Sequence, residues 1–152
     1  MLISKEKIEH MHAVAEYMYD KAEVYGLKPE DMYILGLLHD IGYVKGQEKH
    51  PETGAGMAAH FMGSFGRYAN VIAAHGMSPS EYMERTGSRD IPQELMLLWE
   101  ADMQIDPTGK VVGYSMRLND IAKRYGGKSD EYRNSLQIIE FLQGKGRGIP
   151  TA

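Results

Sequence analysis

The chain contains no cysteine, and this absence removes several kinds of chemistry at once. Disulfide bonds, thiolate metal sites and cysteine nucleophiles are all excluded. Any metal ion would therefore have to be held by nitrogen and oxygen ligands. The 152 residues include six histidines and 21 aspartates and glutamates, so ligands of that kind are present in number.

Long apolar stretches and clusters of positive charge are missing as well. No stretch approaches the roughly 20 apolar residues that a membrane-spanning helix needs. The opening MLISKEKIEH becomes charged before the core of a signal peptide could form. The net charge is −4 with scattered lysine and arginine, which disfavours binding to duplex nucleic acid. We therefore expect a cytoplasmic protein whose partners include neither a membrane nor a nucleic-acid duplex.

The length and composition are those of one globular domain. A chain of 152 residues with 43% hydrophobic and 25% charged residues can bury a single core. We expect one domain over residues 1–143. The remaining nine letters, GKGRGIPTA at 144–152, are typical of a flexible C-terminal tail. The oligomeric state is left open, with a homodimer among the alternatives.

The spacing of apolar residues predicts helices throughout the chain. From Ser4 to Tyr25, apolar side chains recur at steps of three and four and define one buried face: Ile8, Met11, Ala15, Met18, Ala22 and Tyr25. A nearly all-apolar helix begins at PED, residues 29–31, and runs through MYILGLLHD to a stop at Gly42. Further helices are predicted over roughly 52–62, 64–75, 79–85, 92–104, 112–125 and 130–143. Because no strand-like alternation is found, the predicted fold class is all-α.

Six polar side chains stand beside apolar residues on these helices or at their ends. Burying an ionisable group without a partner costs several kcal/mol, so something should compensate them. Imidazole and carboxylate are good ligands for divalent Mn, Fe, Co, Ni or Zn, and such an ion supplies the missing counter-charge. Four imidazoles and two carboxylates exceed the needs of one tetrahedral ion and suit two ions that share a bridging carboxylate. The six residues are His10, His39, Asp40, His50, His75 and Asp102.

The ordered set of these residues resembles the HD-domain metal-dependent phosphohydrolases, helical proteins named for an adjacent His-Asp pair. Bacterial hydrolases of symmetrical dinucleoside polyphosphates are similar in having an early histidine followed by Val-Ala, then LLHD, a His-x-x-x-Gly-Ala segment and an Ala-Asp with isoleucine and proline downstream. The corresponding stretches here are HMHAVA at 10–15, LLHD at 37–40, HPETGA at 50–55 and ADMQIDP at 101–107. The resemblance implies an HD-domain helical bundle over most of the chain.

The resemblance also implies a division of the ligands between two metal sites. His10, His39, Asp40 and Asp102 would hold the first ion, and Asp40 would bridge to a second ion held by His50 and His75. Asp40 would also be the catalytic residue that orients a metal-activated water. His12 lies about 200° around the helix from His10 and is not expected to be a ligand. The implied reaction is hydrolysis of a phosphate ester or anhydride in a nucleotide or dinucleotide-like substrate.

The sequence leaves open the roles of several cationic residues and two alternative functions. The cations that could meet a substrate phosphate are Lys45, Lys49, Arg85, Lys110 and Arg117, and each could equally be a solvated surface charge. Related proteins often have a lysine three positions after the His-Asp pair, whereas this chain has Tyr43. One alternative function is a dimetal iron oxygenase of the inositol oxygenase type. Another is a non-catalytic HD module that senses a ligand, although such modules usually lose the ligands retained here.

Overall fold

A computed structural model describes residues 4–41 and 68–146. Within these ranges the chain is helical, with one 3₁₀ segment at Ala22–Tyr25 and one isolated antiparallel bridge between Ile105 and Val111. The α-helices are α1 (Lys5–Lys21), α2 (Pro29–Leu38), α3 (Ala69–Ala74), α4 (Pro79–Thr86), α5 (Gln93–Asp102), α6 (Tyr114–Tyr125) and α7 (Asp130–Gly144). The all-α prediction is confirmed. None of the helices described is both long enough and apolar enough to cross a membrane.

The ends of several helices follow from local sequence signals. The hydroxyl groups of Ser4, Ser78 and Ser129 accept backbone hydrogen bonds at the N-termini of α1, α4 and α7. Gly26 and Gly87 end helical segments in the left-handed conformation, with φ of 72° and 68°. These signals explain why most observed helix ends lie within a few residues of the predicted ones.

Helix α5 lies at the centre of the core. Every residue from Leu95 to Asp102 is buried, so this helix has no solvent-facing side. Helices α1, α3 and α7 all pack against it, and α1 also packs along α2. The arrangement brings three chain segments that are far apart in sequence, on α1, at the end of α2 and at the end of α5, to one place.

Two details differ from the sequence predictions. Ile8 was expected on the buried face of α1 but is 46% exposed, because the buried face near the start of this helix turns through His10, Met11 and Val14. Helix α7 extends to Gly144, one residue into the segment predicted as a tail. The predicted helix over 52–62 and the predicted start at Ser64 lie outside the described residues.

Candidate metal centre

Helix α2 places an adjacent histidine and aspartate at its C-terminal end, in close contact with α1. A Cβ on Gly36 would lie 2.6 Å from Cα of Ala15, so only glycine allows the two helices to approach this closely. His39 and Asp40 follow the last residue of α2 and are 0% and 4% exposed. The close crossing of α1 and α2 therefore fixes the pair deep in the protein.

Three histidine rings are held in one orientation by backbone carbonyl groups. A carbonyl oxygen can only accept a hydrogen bond, so Nδ1 must carry the proton in each ring. In the neutral ring Nε2 then has the lone pair, which is the arrangement found in histidines that bind a metal through Nε2. In the charged ring Nε2 carries the second proton. The Nδ1 atoms donate from His10 to the Asp106 carbonyl at 2.9 Å, from His39 to Gly36 at 2.6 Å and from His75 to Ile72 at 2.6 Å.

The three Nε2 atoms converge on the carboxylates of Asp40 and Asp102. Oδ2 of Asp40 lies 3.2 Å from Nε2 of His39 and 3.6 Å from Nε2 of His10. The other oxygen of Asp40, Oδ1, lies 3.5 Å from Nε2 of His75. Oδ1 of Asp102 lies 2.9 Å from Nε2 of His10 and 3.5 Å from Nε2 of His39. The two oxygens of Asp40 thus face different histidines.

This arrangement needs a positive charge at its centre. Neutral imidazole lone pairs and carboxylate oxygens would repel one another at these distances, and the histidines are at most 3% exposed. Nε2 of His39 is buried without a hydrogen-bond partner among the described residues, since the contacts with both carboxylates are poorly aligned for one. An unsatisfied buried nitrogen aimed at carboxylates is a good position for a metal ligand.

The pKa values of the site indicate the same preference for a cation. Burial lowers the pKa of the His39 imidazole, but the negative charges of Asp40 and Asp102 and contacts with both outweigh burial and raise it to about 10. Burial raises the pKa of the Asp102 carboxyl, but the hydrogen bond from His10, the close contact with His39 and the positive charge of both rings hold it well below its usual range. The pocket thus stabilises positive charge between two carboxylates.

The donor atoms of His10, His39 and Asp40 lie close enough together to share one ion. They are all within 4.8 Å of one another. Two donors bonded to one transition-metal ion at about 2.0–2.2 Å lie at most about 4.4 Å apart, so only a small contraction is needed. Nitrogen and oxygen donors of this kind suit Mn, Fe, Co, Ni or Zn. The described residues therefore fit a divalent metal.

The loop after α5 supplies both a carboxylate and the group that orients His10. Asp102 is the last residue of α5, and the Asp106 carbonyl accepts the hydrogen bond from His10. The Asp106 side chain stabilises the turn by accepting backbone hydrogen bonds from Thr108 at 2.9 Å and Lys110 at 3.0 Å. Gly109 has φ of +91°, and a Cβ there would lie 2.8 Å from the Glu9 carbonyl oxygen. The loop thus rests directly on α1, one residue before His10.

An open cavity of about 450 Å³ gives access to the site. His10, Asp40, His75 and Asp102 form one end of it. Helices α6 and α7 form much of the rest, and their lining residues combine cations, apolar groups and hydrogen-bonding groups: Arg117, Ile121, Arg124, Tyr125, Glu131, Asn134, Ser135 and Ile138. A cavity of this size can hold a small organic ligand.

The cations predicted from the sequence are placed differently from one another. Arg117 lines the cavity, donates from Nε to the Asp102 carbonyl at 3.1 Å and pairs with Asp120. Arg85 is not among the lining residues; it is on α4 and pairs with Glu81 at 2.9 Å. Lys110 lies in the turn after α5.

The predicted residues Lys45, Lys49 and His50 lie outside the described residues. His12, expected to face away, contacts the Tyr33 hydroxyl at the surface.

Two residues of the site region were not predicted. Lys7 lines the cavity, with Nζ 3.3 Å from Oδ2 of Asp40. Its position three residues before His10, on the same helix face, was a signal that could have identified it. Glu100 is 2% exposed and accepts hydrogen bonds from Tyr17 at 2.6 Å and Tyr25 at 2.5 Å. Its place inside the apolar run LLWEAD could have indicated burial.

Comparison with known proteins gives one match. A family model described as HD domain matches residues 8–112, which is more than half of the chain and includes every predicted metal ligand. Among curated proteins and among solved structures, no match to the chain was found.

Proposed function

Because the chain belongs to the HD domain family, we propose that it is a metal-dependent phosphohydrolase acting on a nucleotide or dinucleotide-like phosphate ester or anhydride. The family provides the general expectation of metal-dependent hydrolysis. The identity of the substrate is the part that we add. It is supported by the chemistry of the cavity and by the motif resemblance to hydrolases of symmetrical dinucleoside polyphosphates.

The observation that carries the proposal is the shared orientation of three buried imidazoles. Each uses Nδ1 for a backbone carbonyl and directs Nε2 at the carboxylates of Asp40 and Asp102. Outer hydrogen bonds of this kind fix the ring and make Nε2 a better ligand. We assign His10, His39, Asp40 and Asp102 to one ion. Following the motif resemblance, we assign His50 and His75 to a second ion that would share Asp40 with the first.

Bound ions would supply Lewis acidity and lower the pKa of a water molecule toward neutrality. The protein must then position that water and the substrate. We assign the orientation of the water to the Asp40 carboxylate, which is buried and faces His39 and His10 through Oδ2 and His75 through Oδ1. This end of the cavity is buried, so bulk water screens its charges only weakly. The interactions between those charges are therefore stronger than they would be in solvent.

The rest of the cavity supports a substrate with a phosphoryl group and a partly apolar body. The guanidinium groups of Arg117 and Arg124 are at the cavity wall formed by α6. Ile121, Tyr125 and Ile138 add apolar surface suited to a ring, and Asn134 adds a donor and an acceptor. We propose that the phosphoryl group lies toward the ligand residues and the organic part toward α6 and α7.

The test is metal analysis combined with a substrate screen. Protein stripped with a chelator is reloaded separately with Mn, Fe, Co, Ni or Zn and assayed without oxygen for release of phosphate or nucleotide from mononucleotides and dinucleoside polyphosphates. We expect metal-dependent hydrolysis that Asp40→Ala abolishes together with metal binding. His10→Ala is compared with His12→Ala, which removes an exposed imidazole from the same helix.

Three other experimental outcomes would each contradict a different part of the proposed function. If substrate conversion requires oxygen, the protein is an oxygenase of the inositol oxygenase type. If the protein binds metal and a nucleotide but converts neither nucleotides nor other phosphate esters, it is a ligand sensor. If the native protein contains no metal and Asp40→Ala retains hydrolysis, the central assignment is wrong.

A further inference from the structure

We propose that Lys7, whose ammonium group lies beside the predicted metal ligand Asp40, is a substrate-contacting cation that binds the substrate phosphoryl group when metal engages the Asp40 carboxylate. The inference rests on the proposed function and adds a residue that neither the motif resemblance nor the family match assigns. It starts from the position of Lys7 on α1, three residues before His10. Residues with this spacing project from the same face of a helix.

The contact between Lys7 and Asp40 involves the oxygen on which the predicted ligands converge. Nζ of Lys7 lies 3.3 Å from Oδ2 of Asp40. Nε2 of His39 lies 3.2 Å and Nε2 of His10 lies 3.6 Å from that same oxygen. Lys7 therefore occupies a place beside the oxygen that a metal ion shared by these residues would use.

An ammonium group and a divalent cation compete for one carboxylate oxygen. Two positive charges held a few ångströms apart in a largely buried site repel each other strongly, because little water is present to screen them. The Asp40 side chain is only 6% exposed, so the repulsion is not relieved by solvent at that atom. Metal binding should therefore release Lys7 from Asp40.

The released ammonium group can reach the cavity. The Lys7 side chain is 25% exposed, and it lines the cavity next to Asp40. The two arginines at the cavity wall already have partners on their own helix, since Arg117 and Arg124 both pair with Asp120. The Asp40 carboxylate beside Lys7 is itself a predicted metal ligand, which distinguishes Lys7 from the two arginines. When metal engages that carboxylate, the Lys7 ammonium group can turn to a phosphoryl oxygen of the substrate.

The proposal predicts opposite effects of one substitution on two binding constants. Lys7→Met removes the charge but keeps an unbranched side chain of similar length. Metal should bind Lys7→Met more tightly than wild type, by several-fold, because the competing ammonium is gone. Inorganic phosphate should bind the metal-loaded variant roughly 10-fold to 100-fold more weakly, the range typical of one hydrogen bond to a charged group. The value of kcat/KM should fall by a similar factor.

Two further variants serve as controls. Lys7→Arg keeps the charge and should retain most of the phosphate affinity. Lys5→Met removes a lysine whose side chain is 89% exposed and which pairs with Glu9 on the same helix, so it should change neither constant. Metal affinity is measured by titrating chelator-stripped protein with Co²⁺, and phosphate affinity by titrating the Co²⁺-loaded protein. Circular dichroism checks that all variants are folded.

The failure of this inference can be separated from failure of the proposed function. If loaded wild-type protein binds phosphate and Lys7→Met binds it equally well, the role of Lys7 is wrong and the phosphohydrolase proposal stands. If Lys7→Met binds Co²⁺ no more tightly than wild type, the competition for Asp40 is wrong. If loaded wild-type protein neither binds phosphate nor hydrolyses any phosphate ester, both proposals are overturned.

Discussion

Nε2 of His10 lies 2.9 Å from Oδ1 of Asp102, although the two residues are 92 positions apart in the chain. The same imidazole donates from Nδ1 to the carbonyl of Asp106. The five residues from Asp102, the last residue of α5, to Asp106 therefore contact both ring nitrogens of His10. The geometry of the site therefore depends on how this segment is held.

Asp102→Asn should reduce metal affinity while leaving the fold intact. The amide keeps the shape of the side chain but is neutral and a poorer ligand than a carboxylate. The loss should exceed the 10-fold to 100-fold range that is typical of removing an outer partner of a ligand. Isothermal titration with Co²⁺ measures it, and Asp130→Asn, which alters a side chain that is 83% exposed on α7, is the control. Equal Co²⁺ affinity of the two variants would remove Asp102 from the ligand set.

Gly109→Ala should displace the loop that carries the Asp106 carbonyl. Gly109 has φ of +91°, and its new Cβ would lie 2.8 Å from the Glu9 backbone oxygen. Gly126→Ala is a matched control, because φ is +97° there and no atom lies within 4 Å of the added Cβ. Each substitution should cost about 1–3 kcal/mol of stability from backbone strain. Only Gly109→Ala should also weaken metal binding, by about 10-fold or more.

The matched pair of glycine variants is decisive when stability and metal affinity are measured together. Urea unfolding of the metal-free proteins gives the stability, and Co²⁺ titration gives the affinity. Parallel losses of affinity in Gly109→Ala and Gly126→Ala would show that the loop contact with α1 has no specific effect on His10.

Gly36→Ala should separate α1 from α2 and disturb the His39–Asp40 pair. The added Cβ would lie 2.6 Å from Cα and 2.8 Å from the backbone nitrogen of Ala15, and backbone atoms cannot move aside as a flexible side chain can. We expect a loss of about 1–3 kcal/mol in the free energy of unfolding. Gly144→Ala, at the end of α7 with open space around the added Cβ, should be neutral or stabilising by up to about 1 kcal/mol. Thermal unfolding compares them, and an equally stable Gly36→Ala would refute the close crossing.

The buried tyrosines around Glu100 should make the fold sensitive to alkaline pH. Burial raises the pKa of Tyr17 above its usual 10, and the hydrogen bond to Glu100 and its charge add to this. Burial and the charge of Glu100 likewise raise the pKa of Tyr114. The folded protein therefore keeps phenol protons that the unfolded chain releases above pH 10. The stability from these groups is complete below about pH 10 and is lost as pH rises through the folded pKa values.

The slope of stability against pH tests this prediction. For each such tyrosine, the free energy of unfolding should fall by about 1.4 kcal/mol per pH unit above pH 10. Tyr17→Phe should reduce the slope. Tyr19→Phe, which changes a 44% exposed tyrosine on the same helix, is the control. Urea unfolding at several pH values measures both, and an unchanged slope in Tyr17→Phe would contradict the raised pKa.

Much of the fold could be predicted because its signals are local. Ser4, Gly26 and Ser78 mark helix ends through hydrogen bonds and backbone conformations that involve only a few neighbouring residues. The prediction that Ile8 is buried was wrong because burial is decided by contacts that are not local. Which part of an amphipathic face is buried depends on the neighbouring helices, and the spacing of apolar residues does not contain that information.

The candidate site was predictable to the extent that it consists of polar residues in apolar surroundings. His10, His39, Asp40, His75 and Asp102 stood out for that reason, and the structure brings them together. Lys7 did not, because a lysine near the start of an amphipathic helix is an ordinary surface residue unless its position on the same helix face as His10 is taken into account. Arg117 and Arg85 could not be separated by sequence for the same reason: only the packing of α6 places one of them at the cavity.

The acceptors of the three imidazole hydrogen bonds differ in their distance along the chain. His39 and His75 use carbonyl groups three residues earlier, Gly36 and Ile72, whereas His10 uses one that is 96 residues away. Two of the rings can be oriented by a single helical turn, and the third is oriented only after the N-terminal helix has docked on the loop after α5. Retention of a metal ion would therefore report that the N-terminal helix and the loop after α5 have docked on each other.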